Sequence, residues 1–207
     1  MLVTRREPSL REPASAQLRR WLDGDGDKTL DGLIELFGRG SFALLFVILL
    51  GVPALPLPTG GATHVFEAVA MLLALQLVAG REEIWLPKRW RHLQLAGPRQ
   101  QKFLIGLMKL IRWPERFSRP RLTFVFEHRL TDVGFGLLVI ALSLAAFLAP
   151  PFSGLDTLPS LGVVFLSLGV LLEDIIVVAL GIVLGVVGIA LEIILGSAVV
   201  QGVSSLF

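Results

Sequence analysis

The sequence predicts an all-α integral membrane protein, and three observations carry that prediction. Of its 207 residues, 54% are hydrophobic and 17% charged, with a mean hydropathy of +0.74, richer in apolar and poorer in charged residues than globular domains. The run from Ile175 to Leu195 contains one charged residue, Glu192, and a bilayer accommodates such a run where a single soluble core of this size does not. All nineteen Lys and Arg fall in two windows, seven within 5–39 and twelve within 81–129.

That confinement follows the positive-inside rule, with both windows cytoplasmic. Trp85, Trp90 and Trp113 lie in the second window, where interfacial anchors belong. The bases flank apolar segments and are not interleaved with stacking aromatics in a soluble domain, so no nucleic-acid partner is expected. The lack of cysteine excludes disulfides, thiolate metal sites and thiol nucleophiles. No P-loop, dinucleotide fingerprint, nucleophile elbow or paired metal motif occurs, so no catalytic residue, metal or cofactor is expected. The basic N-terminus lacks a continuous apolar stretch and a small-residue cleavage site, and is not read as a signal peptide.

Four segments follow in order. Residues 1–39 are a basic cytoplasmic segment. Loose order is expected over 1–28, after which Thr29 can cap a short amphipathic helix bearing Leu30, Leu33, Ile34 and Phe37 at helical spacing, lying on the membrane surface. Asp23, Asp25, Asp27 and Asp31 imitate the start of a calcium loop. Lys28 stands where that loop needs its turn glycine and Ile34 where it needs a bidentate glutamate, so a solvated acidic turn is expected.

Residues 40–80 form a first membrane hairpin. The apolar run FALLFVILLGV from Phe42 meets Pro53, Pro56 and Pro58, then Thr59, Gly60 and Gly61, and a second apolar run over 65–79 returns to the bases at Arg81. Eleven helical residues rise about 16 Å, half a hydrocarbon core, so the hairpin is either two short spans or a re-entrant loop. Residues 81–132 are a basic cytoplasmic or interfacial region, in which QKFLIGLMKLIRW has the pattern of an in-plane amphipathic helix on an anionic leaflet. Residues 133–207 hold a second hairpin, broken at Pro150, Pro151, Gly154, Asp156 and Pro159, and after Glu173 and Asp174 a terminal transmembrane helix. Gly181, Gly185 and Gly188 give that helix a small-residue face for close packing, through which a homodimer would form.

The two hairpins read as an internal repeat. A shift of 93 residues aligns 41–81 with 134–174 without a gap, pairing Phe42 with Phe135, Pro58 with Pro151, Gly61 with Gly154, and Leu73 with Leu166. The paired Pro and Gly carry most weight, because they mark backbone that must leave the helix. Repeated, interrupted apolar segments are a sequence pointer to a solute site, although proline kinks also serve packing alone. The candidate substrate-binding residues are Pro58, Thr59, Gly60, Gly61, Thr63, His64, Glu67, Pro151, Gly154 and Asp156. The bland alternative for His64, Glu67 and Asp156 is a wetted turn at the far surface; Glu192 has the strongest claim to burial.

From Thr29 onward, TLDGLIELFGRGSFALLFVILLGVPALPLPTGGATH and then LLALQLVAGREEIWLPKRW resemble the exopolysaccharide synthesis ExoD family of bacterial membrane proteins. The most specific parts are the Gly-Arg-Gly-Ser-Phe entry at 38–42, the Pro-x-Pro-x-Gly-Gly turn at 56–61, and the Gln76, Gly80, Trp85, Leu86, Pro87 exit. The resemblance implies a bacterial inner-membrane protein linked to exopolysaccharide production, and no particular mechanism. Two readings stay open. One is a small permease-like transporter of an ion or solute through broken-helix repeats. The other is a non-transporting scaffold or regulator that engages exopolysaccharide machinery through the basic region.

Overall fold

Helices form where the apolar periodicity runs, and several of them stop at glycine or before proline. The structure is a computed structural model that describes residues 12–204 other than 25, 27, 56–61, 82, 96, 119–125, 127, 151 and 152. Its helices are α1 (Ala14–Asp23), α2 (Leu30–Phe37), α3 (Ser41–Leu50), α4 (Thr63–Val78), the short α5 (Lys88–Arg91), α6 (Pro98–Glu115), α7 (Arg129–Leu148), α8 (Thr157–Leu171) and α9 (Ile175–Ser204). Among the described residues the extended pairing amounts to one antiparallel bridge, between Thr29 and Gln94. Leu30–Leu50, Arg129–Leu148 and Ile175–Leu195 are long and apolar enough to cross a membrane, while α4 and α8 are apolar but shorter. This is the architecture of a helical membrane protein.

The chain divides into two compact units. The first, Met1–Leu36 with Pro87–Phe117, collects most of the bases. The loose order expected over 1–28 is corrected for residues 14–23, which form α1. Its stripe of Ala14, Leu18, Trp21 and Leu22 gives it an apolar face, and it packs on α6 with Leu18 fully buried. Glu115 of α6 receives both the N–H and the hydroxyl of Ser15 at the start of α1. Thr29 Oγ1 accepts the N–H of Gly32 at 3.1 Å, satisfying one of the free amides at the start of α2.

The lysine that breaks the calcium pattern has a structural task. Lys28 Nζ donates to the carbonyls of Trp21 and Gly24 and stands 5.1 Å over the Trp21 ring, placing a cation at the negative end of α1. Asp25 and Asp27 lie outside the described residues.

The second unit is Phe37–Leu86 with Ser118–Phe207. In it α3, α4, α7 and α8 form a ring, each packing on two others, and α9 lies against α8 and α7. Phe46 and Phe135 meet edge to face in the ring's interior, centroids 5.6 Å apart. Helical hydrogen bonding continues beyond α3, with the Ala54 N–H reaching the Leu50 carbonyl at 2.9 Å. One arm of the first hairpin therefore extends past the eleven apolar residues that define it in the sequence.

The tightest packing joins α8 and α9. A Cβ added at Gly181 would stand 2.3 Å from Leu166 N, and one at Gly162 would stand 2.7 Å from Gly185 Cα. Gly169 meets Val178 and Gly188 meets Pro159 in the same antiparallel register. Small residues let these backbones approach closely. The face formed by Gly181, Gly185 and Gly188 is thus filled from within the chain, by α8 and by Leu142 of α7 at Gly185.

Candidate functional site

The polar residues of the membrane unit fall into two sets, one structural and one gathered at a helix break. Gln76 belongs to the first. Its amide accepts the Trp85 N–H at 2.8 Å and donates to the Trp85 carbonyl at 3.2 Å, clasping the chain after α4. Gly80 has φ +81, and an added Cβ would meet the Arg129 guanidinium. The exit residues Gln76, Gly80 and Trp85 are thereby explained by folding. Asp174 is also structural: it is buried, and its Oδ1 accepts the Ile176 N–H at 2.9 Å, capping α9.

The second set lies where α4 and α8 begin. Thr63 Oγ1 is 3.4 Å from Asp156 Oδ2, two residues 93 apart in sequence. His64 Nδ1 lies 2.8 Å from Glu67 Oε2, one turn along the same face, and the His64 ring stands 5.2 Å from that of Phe147 at the end of α7. Glu67 is completely buried, and its second oxygen, Oε1, has no hydrogen-bond partner. Ser160, one turn into α8, is likewise buried with an unpartnered hydroxyl.

Glu192 joins this set from α9. The register that pairs Gly162 with Gly185 and Pro159 with Gly188 places Glu192, one turn further, opposite Leu155 and beside Asp156. Glu192 is within charge–charge reach of both Asp156 and Glu67, and its Oε1 is buried and unpartnered. Leu155 and Asp156 follow a turn in which Gly154 takes φ +69, the left-handed backbone that glycine adopts without strain.

Of the residues singled out in the sequence, Thr63, His64, Glu67 and Asp156 come together, with Gly154 in the adjoining turn. Pro58, Thr59, Gly60, Gly61 and Pro151 lie outside the described residues. Glu192 and Ser160 are the additions. The charge of Glu192 is visible in the sequence, but its place at the break depends on the α8–α9 register. Among the described residues, no three His, Asp or Glu side chains converge as metal ligands.

A helical membrane bundle with a polar cluster at the break of its paired hairpins defines the class of protein. Within that class, the chain belongs to the family described as "Exopolysaccharide synthesis, ExoD", which it matches over residues 14–194. It is 28% identical over 145 residues to an uncharacterized protein of Synechocystis sp., covering 70% of this chain and 68% of that one. It is 31% identical over 156 residues to Protein ExoD of Rhizobium meliloti, covering 74% of this chain and 64% of the relative. The matched region thus spans just under two thirds of that second relative's length. No solved structure matches the chain.

Proposed function

We propose that this protein is a non-enzymatic component of exopolysaccharide production in the bacterial inner membrane. Its basic segments face the cytoplasm, and it acts as a small permease-like carrier of an ion or solute through the break between its hairpins. One observation carries the reading: Glu67, a fully buried acid with an unpartnered oxygen, sits beside His64 and near Asp156 in a ring whose one base, Arg129, lies at the opposite end of α7. Ionisable groups in such surroundings are costly and mark pathways. Eleven residues of α4 separate Glu67 from Val78 at the basic end, about 17 Å of helical rise, near the middle of a core about 30 Å thick.

The internal repeat supports the same reading. The 93-residue shift exchanges α3 with α7 and α4 with α8, so it maps the α3–α8 contact onto the α4–α7 contact; both exist. Arg39 and Asp132, also 93 apart, pair at 3.8 Å, as Thr63 and Asp156 do at the other end. Positions that meet their own equivalents lie on a pseudo-two-fold axis. An axis through both pairs runs along the helices, which favours parallel over inverted repeats. The helical bonding past Leu50 favours hairpins that cross over ones that re-enter.

The scaffold reading has its own support in α6. Its buried stripe of Leu104, Leu107 and Ile111 faces inward, while Phe103, Leu110 and Trp113, and Phe117 just beyond its end, stay exposed, each preceded by a base, Lys102, Lys109, Arg112 or Arg116.

In a host deleted for this gene, Glu67→Ala and Asp156→Ala are expected to abolish rescue of exopolysaccharide production while membrane insertion persists. Neutralising Lys102, Lys109, Arg112 and Arg116 is expected to leave rescue intact. The opposite pattern would replace the carrier by the scaffold.

A further inference from the structure

Resting on the carrier reading, we infer that the cluster formed by Glu67, His64, Asp156 and Glu192 is a proton-binding site, so that the species held at the helix break is a proton and not a metal cation.

The charge inventory is the first step. Glu67 and His64 come from α4, Asp156 from the turn before α8, and Glu192 from α9. The elements around them add nothing that compensates. Helices α3 and α8 carry no titratable side chain, and those of α7, Arg129 and Asp132, lie at its opposite end. No Lys or Arg occurs within 40–80 or after 129. Three carboxylates against one imidazole, all ionised, would leave two uncompensated negative charges in an apolar bundle, which like-charge repulsion and desolvation oppose. A bound cation or a bound proton removes that excess.

Ligand geometry separates the two. A metal ion needs several oxygens or nitrogens converging at short range, and among the described residues no three His, Asp or Glu side chains converge in that way. A proton needs only one oxygen at a time and a neighbour to pass it to. Glu67 Oε2 and His64 Nδ1, 2.8 Å apart, form such a donor–acceptor pair. The unpartnered Oε1 atoms of Glu67 and Glu192 are the oxygens on which a proton is gained or lost. The Thr63 hydroxyl, 3.4 Å from Asp156 Oδ2, borders this path. The transfer is balanced: a carboxyl O–H releases its proton to the imidazole or to water, and nothing is oxidised or reduced.

The test is pH-difference infrared spectroscopy on the purified full-length protein in lipid, with Glu67→Gln and Glu192→Gln as isosteric variants whose melting and elution are compared with the wild type. A protonated-carboxyl band that titrates in the wild type, and is lost or shifted in Glu67→Gln and weakened in Glu192→Gln, is the expected result. It is read whether or not transport is detected. If the band is absent and sodium or potassium instead perturbs the carboxylate bands through Glu67, the proton assignment is overturned and the carrier reading survives. If neither pH nor cation changes any carboxyl band and Glu67→Ala still rescues production, both fall.

Discussion

Helices α4 and α8 occupy matching places in the membrane ring, yet only one is covered on both sides. On α4 the buried residues are Thr63, Glu67, Ala70, Leu73, Ala74 and Leu77, a single face at helical spacing, while Val65, Leu72 and Leu75 are exposed and look outward as lipid-facing residues do. On α8 the same inner positions, 93 residues on, include buried Ser160, Val163, Leu166 and Ser167, but Pro159, Gly162 and Gly169 are buried as well. The difference is α9. Where the first half meets its surroundings through branched apolar side chains, the second meets another helix through glycine and proline. That cover also brings Glu192 to the break, so packing and the acidic cluster depend on one helix–helix register.

The largest expected effect comes from the inner faces that the two halves share. Phe46→Ala removes a fully buried ring and its edge-to-face contact with Phe135, and should cost about 3–5 kcal/mol. By contrast, Leu72→Ala on the outward face of α4, where the residue is 61% exposed, should stay within about 0.5 kcal/mol. Thermal unfolding in detergent measures both. Equal effects would mean that the ring does not bury the inner face in preference to the outer one.

A smaller but sharper effect separates the outer faces. Gly181→Ala places a methyl 2.3 Å from the Leu166 backbone nitrogen, so the helices must part, at a cost of about 1–3 kcal/mol. Gly134→Ala, where an added Cβ meets nothing within 4 Å, serves as the control and should be neutral or slightly stabilising, since alanine is the better helix former. If Gly181→Ala is silent in melting while it changes the oligomeric state, α9 faces a second copy and not α8.

Much of this was legible in the sequence because it is local. The Thr29 cap, the apolar faces and the breaks at glycine and proline all follow from residues within a turn or two of each other. The 93-residue shift superposes Thr63 on Asp156, two residues that also meet at the helix break. What was not legible depends on pairing between distant segments. The apolar stripe of α1 is short and rich in arginine, and its order becomes apparent only when α6 supplies the partner face. The glycines of α9 announce close packing but not whether the partner is α8 or another chain, because both would select the same small residues.

The smallest expected effect tests the symmetry underlying the comparison. Arg39 and Asp132 stand 3.8 Å apart with 73% and 37% of their side chains exposed, so screening limits their attraction to about 0.2–1 kcal/mol. A double-mutant cycle with Arg39→Gln and Asp132→Asn should give a coupling in that range, falling as salt is raised. Exchanging the charges, Arg39→Asp with Asp132→Arg, should recover most of what either reversal alone loses, because on the proposed pseudo-two-fold axis the two positions would face each other in the same way when swapped. If the single reversals are additive and the exchange recovers nothing, the pairing of Arg39 with Asp132 does not join the two halves, and Thr63 with Asp156 would be left as a single point that defines no axis.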